Sequence, residues 1–331
     1  MSRYPARRLR RLRRTSTMRD SLAEVFLSAR QLVAPLFVCP GKAQAREIAS
    51  MPGQFQLSVD QAITKVGTWV DLGIRTVLLF GLPESKDAEG SSAWDDTQPV
   101  GRLVGQIKQR WPGLLVITDV CLCEYTDHGH CGPLVEQADG TVTVENDRAI
   151  ESLGRIAVSH AACGADVVAP SAMMDGQVGA IRQALDRDGH EQTAILSYAV
   201  KFASSLYGPF RDAADSAPQA GDRRSYQMDY RSGRQAMLEA AGDVDEGADM
   251  LMVKPAGAYL DILQSLRQRF DLPLAAYQVS GEYAMLHAAA QRGWLKLPDA
   301  AAETVTAIKR AGADWIITYF AEDLARAMSR G

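Results

Sequence analysis

One piece of punctuation recurs along this chain: Gly73-Ile-Arg-Thr76, Gly164-Ala-Asp-Val167, Gly247-Ala-Asp-Met250 and Gly312-Ala-Asp-Trp315. Each glycine suits a helix C-cap, where a left-handed residue is wanted, and an apolar run follows at once. Eight such runs are spaced along the chain: Leu32–Val38, Thr76–Phe80, Leu114–Asp119, Asp166–Pro170, Ala194–Val200, Asp249–Lys254, Pro273–Val279 and Trp315–Phe320. They are continuous rather than alternating, as strands buried on both faces are. Helical periodicity fills the gaps, for example at Val59–Leu72, Asp147–Cys163, Asp175–Asp188, Tyr230–Glu246, Tyr259–Phe270 and Glu282–Arg292. The repeat predicts an α/β fold, a closed (β/α)8 TIM barrel. A doubly wound open sheet is the alternative, but no phosphate-loop glycine signature marks the switch point it needs.

The expected organisation is an extended N-terminal arm over residues 1–30 and a single catalytic barrel over 31–331. The arm is compositionally separate, with Arg3, Arg7, Arg8, Arg10, Arg11, Arg13, Arg14 and Arg19 against one acid, Asp20. An RNA-binding arm, a cleaved presequence, a subunit contact and a solvated tail all fit such a segment. The whole chain carries a net charge of −4, which favours a subunit contact or a tail and speaks against nucleic acid. Five cysteines without a secretory signal argue against a disulfide framework, and no apolar run reaches bilayer-spanning length. A cytoplasmic protein with no membrane association is the expectation.

The sharpest local signal is Asp119-Val-Cys121-Leu-Cys123-Glu-Tyr-Thr-Asp-His-Gly-His-Cys131-Gly132, on a strand end and the loop behind it. Three thiolates within eleven residues suit zinc and leave a fourth position for water or substrate. A closed structural site that adds His128 or His130 is the competing arrangement. Cys39 and Cys163 have no such company and read as core residues.

Two lysines form the second signal. Lys201 closes the run that begins at Ile195, and Lys254 closes the one that begins at Met250. If these are the fifth and sixth strands, the amines are neighbours in a partly dry pocket. Burial and like charge then depress their pKa values toward the neutral form that imine chemistry with a ketone requires. The bland alternative is a buried ion pair with an acid such as Asp119.

Together, Asp119–Gly132, Ala169–Gly176, Lys201–Arg211, Gly221–Arg223, Met252-Val-Lys254-Pro and Tyr277–Tyr283 resemble the porphobilinogen synthase (5-aminolevulinate dehydratase) family, in order and without large gaps. The resemblance implies a hydro-lyase that condenses two 5-aminolevulinate molecules to porphobilinogen in tetrapyrrole (heme) biosynthesis. It implies that Lys254 holds the first substrate and Lys201 the second as Schiff bases, with Asp119 in proton transfer. Cys121, Cys123 and Cys131 match the zinc ligands of the metal-dependent branch. Arg211 and Arg223 match the guanidinium groups that grip a substrate carboxylate, with Gln227 as a polar partner on the same lid. Ser280 and Tyr319 match the hydroxyls that meet the other carboxylate, and Ser171, Tyr207 and Phe210 match pocket-lining positions. Glu239 matches an acid that holds an outer, allosteric magnesium in some members, and a homo-octamer is implied.

The chain departs from the family pattern at two places. Ser225 stands where some members have a cysteine that helps bind a second zinc, leaving His130 a structural reading. Asp127 replaces a more usual serine in the metal loop. A class I aldolase would share the barrel and one lysine but need neither the cysteine loop nor the second lysine. A zinc-stabilised structural protein would share the barrel and show no adduct with 5-aminolevulinate.

Overall fold

A computed structural model describes residues 7–329; arm residues 1–6, Arg3 among them, lie outside the described residues. Eight parallel strands form the centre: β1 (Leu32–Cys39), β2 (Thr76–Gly81), β3 (Leu115–Val120), β4 (Val167–Pro170), β5 (Ala194–Lys201), β6 (Met250–Lys254), β7 (Leu274–Gln278) and β8 (Trp315–Thr318). Each pairs with the next in chain order, and β8 pairs back onto β1 through Leu32–Ile316 and Val33–Ile317. That last pairing closes the barrel and removes the open-sheet alternative.

Helices α1 (Val59–Asp71), α2 (Pro99–Arg110), α3 (Asn146–Ala162), α4 (Gln177–Arg187), α5 (Gly233–Asp245), α6 (Leu260–Arg269), α7 (Ser280–Gln291), α8 (Leu297–Arg310) and α9 (Ala321–Met328) surround the strands. Helix α5 begins later than Tyr230, because Asp229 turns the chain there by accepting the Arg231 N–H at 2.9 Å. Among the described residues, no helix is long and apolar enough to cross a membrane.

The recurring punctuation acts at the foot of the barrel. Gly73, Gly164, Gly247 and Gly312 all have positive φ, between 85° and 122°. In the three Gly-Ala-Asp copies the aspartate reaches sideways to the preceding strand. Asp166 accepts the Val116 N–H at 2.8 Å, Asp249 the Ile195 N–H at 2.7 Å, and Asp314 the Leu274 N–H at 2.9 Å. In each case the aspartate's own N–H returns to the carbonyl of that same residue. The motif therefore ends a helix and locks the register of two strands.

Two features were not expected. Short strands Ala45–Glu47 and Phe55–Ser58 pair antiparallel, and the second runs beside β1. The cysteine-rich connection carries a hairpin, Leu134–Glu136 against Val142–Val144. Cys39 and Cys163 correct the core reading: both are only partly buried and pack against the core from its edge. None of residues 7–30 is buried, although the segment forms short helical turns at Leu9–Arg13 and Ser16–Ser21.

Candidate active site

The ends of β3, β4, β5, β6, β7 and β8 deliver Asp119, Ser171, Lys201, Lys254, Ser280 and Tyr319 to one mouth, and all six side chains are buried. A narrow cavity there is lined by Asp119, Cys123, Ser171, Lys201, Lys254 and Arg223, with Glu124, Phe80, Tyr207, Phe210 and Arg211 completing the wall.

Lys201 and Lys254 are directly opposed in the β5–β6 ladder. The pairing depends on an irregularity: Leu251 faces Ser197, but Val253 faces Val200. One extra residue in β5 therefore re-phases the strand between Tyr198 and Lys201, as a β-bulge does. The Lys201 amine donates to the Ser171 carbonyl and lies 5.7 Å from the centre of the Tyr198 ring. Lys254 sits in a cage of rings, with its amine 4.6 Å from Tyr277, 5.0 Å from Tyr198, 5.1 Å from Phe210 and 5.3 Å from Tyr207. Among the described residues neither amine has a carboxylate within ion-pair distance, so the buried ion pair is not what these lysines form. Burial, reinforced by the Lys201 charge, lowers the Lys254 pKa to about 7. Aromatic faces attract a cation, but they stabilise it far less than hydration by water does.

Asp119 accepts a hydrogen bond from Ser171 Oγ at 3.0 Å, while its Oδ1 has no partner. Burial, then the nearby Glu124, pushes its pKa up to about 8. Glu124, which sequence reasoning passed over, is buried with Oε2 3.3 Å from Cys123 Sγ. Tyr198 and Tyr277 were likewise not expected at the site. A two-residue alternation puts Tyr198 on the face opposite Lys201, and only the bulge brings both inward.

Cys121, Cys123 and Cys131 are buried, and their sulfurs lie within 4.8 Å of one another, with 3.5 Å between the first two. Burial raises the Cys121 pKa, whereas hydrogen bonds from Cys121 and Cys123 hold Cys131 well below the usual thiol range. Three clustered sulfurs, one with a lowered pKa, are a donor set suited to a soft cation. Neither histidine is free to complete a closed site. His130 uses Nδ1 on Tyr226 and Nε2 on the Ala220 carbonyl, and His128 uses Nε2 on the Ala88 carbonyl and Nδ1 on the His130 N–H. Ser225 contacts Thr143 at 3.2 Å, and Asp127 is exposed.

Residues 202–229 form a lid that brings Tyr207, Phe210, Arg211 and Arg223 to the wall of that cavity, with a helix at Gly208–Ala214. Arg223 is buried and donates to the carbonyls of Gly129 at 2.7 Å and Ser216 at 2.6 Å, leaving Nε bare. Arg211 Nε and Gln227 Nε2 are also buried without partners. Tyr207 donates to the carbonyls of Phe202 and Lys254. Ser280 Oγ accepts the Phe210 N–H at 2.9 Å, and the Tyr319 and Tyr277 hydroxyls are 3.0 Å apart. Glu239 lies away from the mouth on α5, where it accepts from Gln235 at 2.9 Å. It borders a surface groove with Asn146, Asp175 and Asp229.

A closed barrel whose mouth holds two facing amines and a buried thiol cluster is an arrangement suited to an enzyme of carbonyl–amine chemistry, with a loop that could hold a metal. Sequence relatives narrow that class to one family. The sequence profile of delta-aminolevulinic acid dehydratase matches residues 6–327, and the chain belongs to that family. Delta-aminolevulinic acid dehydratase of Synechocystis sp. is 52% identical over 323 residues, covering 98% of both chains. That of Bacillus subtilis is 49% identical over 319 residues, covering 96% of this chain and 97% of its own. The crystal structure of the Toxoplasma gondii enzyme in complex with its reaction product porphobilinogen superimposes with a TM-score of 0.94 at 41% identity, covering 98% of this chain and 92% of that one.

Proposed function

We propose that this chain is a porphobilinogen synthase, a hydro-lyase that joins two 5-aminolevulinate molecules with loss of two waters. The observation that carries the reading is the opposition of Lys201 and Lys254 beside the three-cysteine cluster. A neutral Lys254 amine attacks the ketone of one substrate, and the ketone oxygen leaves as water once protonated. Asp119, hydrogen-bonded to Ser171 and facing the same cavity, is placed to hold and move the protons this step needs. Lys201 binds the second substrate in the same way. Ser280 and Tyr319 receive the carboxylate of the molecule at Lys254. Arg211 and Arg223, helped by Gln227, receive the other carboxylate through N–H groups that now lack partners. Ser171, Tyr207 and Phe210 shape the wall.

Cys121, Cys123 and Cys131 would hold zinc, which supplies Lewis-acid polarisation next to the second substrate. The fit rests on three buried sulfurs, one with a lowered pKa. The cavity beneath the lid is narrow, and on this reading residues 202–229 open for substrate entry. Glu239 is assigned to an outer magnesium held mainly through water, with a regulatory role. Residues 1–30 act as an arm that grips a second copy in a homo-octamer. Exposed Leu9, Leu12, Leu22 and Phe26 give the arm apolar anchors. A cytoplasmic location belongs to the same proposal.

The test is covalent. The protein is incubated with 5-aminolevulinate, reduced with borohydride and mapped by mass spectrometry. Adducts at Lys254 and Lys201 are expected; modification of neither removes the reading. Loss of turnover on chelation, restored by zinc and not by magnesium alone, separates it from a metal-free aldolase.

A further inference from the structure

Glu282 is a buried carboxylate that no step above uses. It is the third residue of α7, close to the helix N-terminus where a negative charge is favoured. Its two oxygens join different strand ends. Oε2 accepts the Val279 N–H at 2.7 Å, immediately before Ser280, and Oε1 accepts the Gly257 N–H at 2.8 Å, three residues past Lys254. The β6–β7 ladder has already ended at Val253 and Ala276, and beyond it, among the described residues, this carboxylate ties the two loops by hydrogen bonds. The fit is tight. A Cβ built on Gly257 would lie 2.4 Å from Glu282 Oε1, so any larger residue there presses on this carboxylate. On the near side of the tie, Ser280 Oγ holds the Phe210 N–H and Tyr207 holds the Lys254 carbonyl.

We propose that Glu282 is a positioning residue that sets the span between the Lys254 amine and the Ser280 hydroxyl, and so the chain length of the keto acid accepted at Lys254. The proposal rests on the reading that Lys254 forms the imine while Ser280 meets the carboxylate of the same molecule. A carboxylate with two acceptors can satisfy two N–H groups at once. The amide of Glu282→Gln has one acceptor, and its NH2 opposes the second N–H, so one loop is released while side-chain volume is kept. Misplacement of a reacting group by about 1 Å can cost on the order of 100-fold in rate.

The probes are two keto acids without the amino group, 4-oxopentanoate and the homologue longer by one methylene, 5-oxohexanoate. Each is trapped on the intact zinc-loaded protein with borohydride, and the rate of adduct formation is read separately at Lys254 and Lys201. Wild type is expected to favour 4-oxopentanoate at Lys254. Glu282→Gln is expected to lose that preference by about tenfold or more, with trapping at Lys201 little changed. Gly257→Ala presses on the same carboxylate from the opposite side and should shift the preference the same way, so a poorly folded Glu282→Gln leaves the question decidable. Unchanged discrimination in a folded variant, or an equal fall at both lysines, overturns the proposal. If wild type forms no adduct at Lys254 with either acid, the underlying functional reading has failed instead.

Discussion

Lys201 faces Lys254 across the barrel wall only because β5 carries one residue more than β6 below them. If the same sequence ran on without the bulge, Lys254 would pair with Val200, and Lys201 would turn outward toward the helices. The bulge therefore creates the amine pair and puts the Tyr198 ring beneath both amines, at 5.0 and 5.7 Å.

The first prediction concerns pH. Lys254 titrates near 7, mainly through burial and then the Lys201 charge, with Asp119, Cys123 and Glu124 pulling the other way. Only the neutral amine attacks a ketone. The initial rate of borohydride-trapped adduct at Lys254 should rise as pH climbs through about 7 and level off above it. A rate still climbing steeply near pH 10 would mean an ordinary lysine.

The same depression makes Lys254 a liability for stability. Its pKa is near 7 folded, and a lysine in the unfolded chain titrates at about 10.4. Below pH 7 both states are charged and the folded state bears the full cost of a buried ammonium. Between those values the unfolded chain binds more protons, so stability rises with pH. Lys254→Met should therefore stabilise the protein by roughly 2–5 kcal/mol below pH 7, with the gain fading toward pH 10. Urea unfolding at pH 6 and pH 9.5 reads this directly; a variant less stable than wild type at both would contradict it.

The thiol cluster should be separable from the amines. Cys123→Ser removes a soft ligand but touches neither lysine. Zinc affinity, measured against a chromophoric chelator, should fall by more than the roughly 10–100-fold cost typical of an outer-shell partner. Trapping of 4-oxopentanoate at Lys254 should survive. Loss of both together would show that the metal loop and the amine pocket fold as one unit.

Gly129 joins the metal loop to the lid. Its φ is +72°, and a Cβ there would lie 2.5 Å from the Ala217 carbonyl oxygen. The Gly129 carbonyl also takes a hydrogen bond from Arg223. Gly129→Ala should cost about 1–3 kcal/mol and push the lid off the mouth. Faster limited proteolysis within residues 212–227, with the barrel core intact, is the expected readout. Unchanged cleavage would mean the lid does not rest on this contact.

Legibility followed the physics. All eight strands were readable because strands buried on both faces must be apolar throughout, and Lys201 and Lys254 stood out as charged residues ending such runs. Arg211 and Arg223 carry no local signal that separates them from solvated loop charges, and only the family resemblance singled them out. The exposed short strand Ala45–Glu47 shows no apolar run. Tyr198 was missed for a different reason. Period-two reasoning assumes an unbroken strand, and a bulge leaves no mark in residue type. Glu124 and Glu282 were hidden because an acid beside a cysteine, or near a helix start, is ordinary until its burial is known.

The sideways aspartates at the foot of the barrel fall on alternate seams: β3 with β4, β5 with β6, and β7 with β8. The cylinder is thus riveted in twos, and one rivet, Asp249, lies directly under the strand pair that carries both amines. Chemistry at the rim inherits its alignment from a carboxylate at the opposite end of the wall. A substitution there, far from any substrate, would reach the reaction by letting one stave slide against its neighbour.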